Sequence, residues 1–196
     1  MVEQLNFYCV DKVWLGLIGA TFLLGIVFGC LTVARLGDKL GRKPVYFAGL
    51  FIQGVCSISV VFSTNFLIDY FCLFLVGISV TMRYYIGYTY NVEMQPRSHQ
   101  NFAGVMLFAC EAIVFIFICC YFMNISKYWT PLMIPNIVLT TIGLIFLYNM
   151  PESPRFLVST HKFEKARQVF KLMARWNGKD PDLVDTFVFH EEHLNE

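Results

Sequence analysis

The chain has 196 residues, of which 57% are hydrophobic and only 15% charged, more apolar than a soluble domain of this size, whose apolar share is nearer about half. A net charge of +1 gives no handle for a polyanionic partner, so nucleic acid is excluded from the expected partners. The expected surroundings are a lipid bilayer.

The N-terminal segment, residues 1–12, carries Glu3 and Asp11 against a single late Lys12 and is followed by no small-residue cleavage site. It is therefore read as a retained extracellular segment rather than a signal peptide. Five apolar runs follow, 13–34, 45–63, 67–91, 102–123 and 131–148. Each stays apolar for about eighteen residues or more, the length of a membrane helix, where a barrel strand would alternate over about ten. Residues 13–148 thus form a five-helix transmembrane bundle.

Between the first two runs lies 35–44, Arg-Leu-Gly-Asp-Lys-Leu-Gly-Arg-Lys-Pro. It is predicted to be a short charged turn that holds its two helices antiparallel, with Gly37 and Gly41 supplying backbone angles that other residues resist. Basic residues fix the orientation. Arg35, Lys39, Arg42, Lys43, Arg97, Arg155, Lys162, Lys165, Arg167, Lys171, Arg175 and Lys179 fall on one side, twelve against Lys12 and Lys127 on the other. Short basic loops stay cytoplasmic, which puts the N-terminus outside and the C-terminus inside.

After the fifth run, Pro151 and Pro154 end the helix and a cytoplasmic segment, 149–196, begins. Within it, 162–176 is an amphipathic helix, with Phe163, Ala166, Val169, Phe170, Met173 and Trp176 at three- and four-residue steps. It is expected to lie beneath the bundle, the alternative being an interfacial anchor that touches lipid. Six of the seven cysteines sit inside apolar runs, as small hydrophobes do, and only Cys9 looks accessible. Neither Cys nor His occurs at metal-ligand spacing, and no cofactor is implied. No nucleophile, base and orienter can be assembled either, so an enzyme is not expected.

Residues 34–43 resemble the signature loop of the major facilitator superfamily, Gly-x-x-x-Asp-Arg/Lys-x-Gly-Arg-Arg/Lys, with Ala34 in place of the first glycine. Glu93-x-x-Pro96 and Pro151-Glu-Ser-Pro-Arg155-Phe-Leu resemble two further motifs of its sugar-porter and organic-ion branches. Asn6, Cys9, Trp14 and the Ile86-Gly-Tyr stretch are more similar to organic cation and anion transporters than to sugar porters. One position departs: where the family often has an Arg four residues after the Pro, this chain has Gln100, with Arg97 as a possible stand-in.

The resemblance implies an all-α integral membrane fold, a partial N-terminal six-helix bundle comprising helices two to six and the start of the central cytoplasmic loop. The first helix and the C-terminal bundle would come from elsewhere as partners. It implies transport of a small organic solute, an organic ion or a sugar, by alternating access. The competing reading is a truncated or regulatory membrane protein that binds a solute or partner without translocating it. The resemblance also places Asp38, Arg42, Glu93, Arg97, Glu152 and Arg155 in a cytoplasmic gating network. The bland alternative is that these charges solvate loop ends and set topology.

Arg83 and Glu111 are the ionisable residues deep inside runs, where a charge costs roughly 2.5–3.5 kcal/mol on an insertion scale. Arg83 lies ten residues before Glu93 and Glu111 ten after Asn101, so at about 1.5 Å per residue both sit ~15 Å from the cytoplasmic face. Matched depth on consecutive antiparallel helices predicts that they pair, either to fix packing or to bind solute. Tyr84, Tyr85, Tyr88 and Tyr90 surround Arg83 and offer rings and hydroxyls to an organic solute, though they point in several directions. The candidate solute-binding set is Arg83, Glu111, Tyr84 and Tyr88. Gln53 and Asn136 are expected to hydrogen-bond between helices, and Asn124-Ile-Ser126 is a glycosylation sequon too close to the membrane to be used.

Overall fold

The computed structural model describes residues 12–63, 65–125 and 128–186. The N-terminal segment with Asn6 and Cys9, the sequon's Ser126, Lys127 and the acidic tail from 187 onward lie outside them. The described residues are overwhelmingly helical, with no strand among them. α1 is Lys12–Leu40, α2 Arg42–Phe62 and α3 Phe66–Thr81. A π-helical turn, Met82–Ile86, joins α3 to α4, Gly87–Met94, so that 67–94 forms one continuous span. α5, Gln100–Asn124, and α6, Thr130–Asn149, complete five helices long and apolar enough to cross a membrane. Helix is the natural solution here, because a lipid core leaves backbone polar groups no partner outside the segment.

α3 is the hub, packed on α1 and α2, while α2 also carries α6. Between α1 and α3 the backbones touch. A Cβ on Gly25 would lie 2.2 Å from the Phe74 carbonyl oxygen, and one on Gly77 would lie 2.3 Å from that of Phe22. Only hydrogen side chains permit this approach, which replaces the hydrophobic drive that lipid removes with close van der Waals contact. Polar side chains add interhelical bonds: Ser79 Oγ donates to the Gly49 carbonyl at 2.8 Å, and Asn136 Nδ2 donates to Ser57 Oγ at 3.3 Å. Gln53, expected to do the same, instead reaches Ser57 on its own helix.

The charged stretch 35–44, expected to be a short turn over its whole length, is helical on both sides of a single residue. α1 continues through Leu40 and α2 starts at Arg42, leaving Gly41 alone between them at φ 108°, ψ 162°. Charged side chains at a helix end reach water without unwinding the backbone, so Arg35, Asp38 and Lys39 remain helical. Gly41 supplies the predicted backbone angle; Gly37 serves packing instead, since its Cβ would lie 2.3 Å from Ile86 Cδ1.

Past α6, α7 (Pro154–Ser159) and α8 (Phe163–Trp176) fold back on each other, with Leu157, Ala166 and Val169 in one buried cluster. A 3-10 turn, Pro181–Thr186, covers more of α8, and Lys171 pairs with Asp185 at 2.8 Å. The apolar stripe of α8 packs on α7 and the 3-10 turn.

Candidate functional site: a charge cluster and a midspan cleft

At the basic end of the bundle one arginine gathers four elements. Arg42 opens α2, where its guanidinium reaches back to α1: Nη2 lies 3.1 Å from Asp38 Oδ1, and Nη1 donates to the Gly37 carbonyl at 2.9 Å. Its Nε lies 3.3 Å from Glu93 Oε2 at the end of α4, an ion contact without hydrogen-bond alignment. The Phe156 ring of α7 lies under the same guanidinium, 5.2 Å from ring centroid to Cζ. Glu93 is completed by Ser153, fully buried, whose Oγ donates to Oε2 while accepting from the Phe156 amide as the N-cap of α7. Glu152 takes a different role, accepting from the backbone amides of Lys43 at 3.0 Å and Ser153 at 2.9 Å. Lys43 Nζ in turn donates to the Tyr148 carbonyl in the last turn of α6, where the helix dipole favours a cation.

Of the six residues in the predicted network, Asp38, Arg42 and Glu93 are joined directly and Glu152 through backbone. Arg97 and Arg155 are surface-exposed and form no ion pair among the described residues. Arg155 is the second residue of a short helix whose buried face is Pro154, Phe156 and Leu157, so it points away. Arg97 does not stand in at position 100 either. Gln100 does that work, its Nε2 donating to the carbonyls of Val92 at 3.1 Å and Gln95 at 3.3 Å at the end of α4. Ser153, Phe156 and Tyr90, whose hydroxyl donates to the Pro151 carbonyl, were not anticipated. Ser153 was the findable one, since Ser-Pro is an N-cap followed by proline at the first helical position.

A cleft of about 970 Å³ runs from midspan, at Arg83 and Glu111, to the basic end of the bundle, at Met94 and Met150, with walls from all five membrane helices. That volume lies within the usual range for small-molecule sites. Arg83, Tyr84 and Tyr85 enter it from the π turn, Tyr88 and Tyr90 from α4, Tyr46 from α2 and Glu111 from α5. π turns widen a helix by one residue and often occur at functional sites. Tyr84 and Tyr88 both turn to α5: the Tyr84 hydroxyl donates to Glu111 Oε1, and the Tyr88 hydroxyl approaches Gly104. All four predicted solute-site residues line this one cleft, joined by Tyr46, which no local pattern could reveal because its neighbours Gly87 and Tyr90 lie more than forty residues away.

The predicted Arg83–Glu111 pair does not form. Depth was estimated from residue counts, but direction around the helix decides contact. Arg83 Cγ lies 3.4 Å from where a Cβ on Gly49 of α2 would stand, so its stem runs along α2, whereas Tyr84, the next residue round, meets Glu111.

A bundle of five membrane-length helices with a largely apolar, aromatic cleft and an ion cluster at its basic end defines a multi-pass membrane protein. The chain belongs to the sugar (and other) transporter family, whose model it matches over residues 3–196. It is 27% identical to human solute carrier family 22 member 16 over 183 residues, 90% of this chain and 30% of that protein. It is likewise 27% identical to mouse solute carrier family 22 member 4, over 91% of this chain and 32% of the relative. Organic cation transporter 1 of Caenorhabditis elegans is 25% identical across 100% of the chain and 34% of its own length. The chain thus spans about a third of the length of these curated relatives.

Proposed function

We propose that this chain is one half of a carrier that moves a small organic solute across the plasma membrane by alternating access, working with a further helix and a second bundle encoded outside it. Arg83, Tyr84, Tyr88 and Glu111 hold the solute in the cleft, and Asp38, Arg42, Glu93 and Glu152 form a cytoplasmic latch made in one state and broken in the other. The observation that carries this reading is that Arg42 ties α1, α2, α4 and α7 at the end of a bundle whose solute-sized cleft runs from that end to midspan. A cluster spanning several helices is the kind of bistable contact that a rocking bundle needs, and midplane binding between halves suits alternating access. The names of the relatives, solute carriers and an organic cation transporter, support an organic solute.

Uptake into proteoliposomes tests it. The chain alone should give no saturable uptake of labelled organic ions or sugars, and the chain joined to the complementary bundle of a relative should give it. Saturable uptake by the 196-residue chain alone would overturn the two-half reading, and silence from the joined protein would overturn transport. The orientation, N-terminus outside, rests on twelve basic residues against two. A cysteine placed at Asn65 should react with an impermeant label in intact cells, and one at Ser98 only after permeabilisation; the reverse pattern would invert the topology.

A further inference from the structure

The two charges of the cleft are in unequal states. Glu111 already has a donor in the Tyr84 hydroxyl. Arg83 has no acceptor: its Nε is buried without a hydrogen-bond partner, and no carboxylate among the described residues lies within ion-pair distance of its guanidinium. An unpaired guanidinium halfway through a membrane helix is unfavourable by the same insertion scale that makes such residues rare, and it is always charged. Its side chain lines the cleft. Its planar fork matches a carboxylate bidentately, a stronger contact than any neutral acceptor offers. Around it stand the rings of Tyr46, Tyr84, Tyr85, Tyr88 and Phe108. Such walls suit a flat apolar or aromatic body.

We propose that the solute of this cleft carries a single carboxylate-class anionic group, seated on Arg83, with an aromatic body against the tyrosines. Glu111, on the α5 wall, rejects a second anion there. The inference rests on the reading of the cleft as a solute site. It departs from what the name of the organic cation transporter relative would suggest, because a simple monocation would leave Arg83 without a counter-charge.

A matched set of phenyl compounds separates the possibilities: 3-phenylpropionate as monoanion, phenylalanine as zwitterion, phenethylammonium as monocation and phenylsuccinate as dianion. Binding to the full chain in lipid nanodiscs is read by ligand-observed NMR, which detects weak equilibria. The monoanion and the zwitterion should bind on the order of tenfold more tightly than the monocation and the dianion, the scale of one charge-assisted hydrogen bond. Arg83→Gln should abolish that preference, Arg83→Lys should keep part of it, and Glu111→Gln should admit the dianion. Thermal unfolding of each variant identifies any that fail to fold, in which case the wild-type series decides alone. Preference for the monocation, or an undiminished anion preference in folded Arg83→Gln, would overturn the assignment while leaving a solute site in the cleft. Silence from all four compounds would overturn both.

Discussion

The basic end and the middle of the third span are built to opposite standards. At the basic end, Glu93 is 6% exposed and engaged by Arg42 and Ser153, and the whole cluster closes on α7. Ten residues earlier, Arg83 lacks a partner, and α5 is held to the bundle chiefly through α4, with Gly104 its sole buried residue. Satisfied charges rigidify; an unsatisfied one beside a loosely held helix is a place where something else is meant to bind or move. The contrast separates a charge cluster closed off by protein from a guanidinium left open to the cleft.

The most damaging way to break the contrast is to unsatisfy the tight end. Glu93→Ala leaves Arg42 and Ser153 without their shared acceptor, and removing one member of a buried pair destabilises by about 3–5 kcal/mol. Unfolding in mixed micelles should show a loss of that order, while Asp38→Ala, whose carboxylate is 73% exposed, should lose less than about 1 kcal/mol. Equal losses would mean that Arg42 leans on Asp38 as much as on Glu93, and that the cluster is a surface feature.

That tight end was largely legible in the sequence, and the loose middle only in outline. Apolar length alone marks the five helices, because lipid imposes it. The resemblance grouped Asp38, Arg42, Glu93 and Glu152, and the apolar runs placed all four at the same end of the bundle. What could not be read was direction around a helix. Arg83 and Glu111 matched in depth, yet the π turn at Met82–Ile86 and the Gly49 notch on α2 aim Arg83 one way and hand Glu111 to Tyr84. A π turn leaves no compositional trace. The same limit explains Arg155, whose motif position said nothing about which face of α7 is buried.

A smaller break comes from Gly41. At φ 108° and ψ 162° it occupies a backbone region that is essentially glycine's own, where another residue is strained by ~1–3 kcal/mol. Its Cβ would also stand 2.7 Å from Glu152 Oε2 and 3.1 Å from Phe156 Cε1. Gly41→Ala should therefore lower stability by roughly that strain, and also expose the amides that Glu152 caps, read as faster hydrogen exchange at Lys43 and Ser153. Gly37→Ala makes the useful control. Its neighbour is the flexible end of Ile86, so it should disturb packing between α1 and the π turn without altering exchange at the cluster. If Gly37→Ala accelerates exchange as much as Gly41→Ala, the α1–α2 joint is not set by the angle at Gly41.

The smallest expected effect sharpens the loose middle. Tyr84 and Glu111 share one hydrogen bond across the gap between the π turn and α5, in a region open enough that its loss should cost only ~0.5–1.5 kcal/mol. The informative quantity is the coupling. Tyr84→Phe and Glu111→Ala, measured singly and together, should be non-additive, since either one removes the same contact. Arg83→Gln combined with Glu111→Gln should instead be additive in stability, because the two side chains face different helices. Additivity for Tyr84 and Glu111 with coupling between Arg83 and Glu111 would restore the pairing that matched depth suggested. It would also remove the unsatisfied guanidinium from the cleft, and with it the reason to seat an anion there.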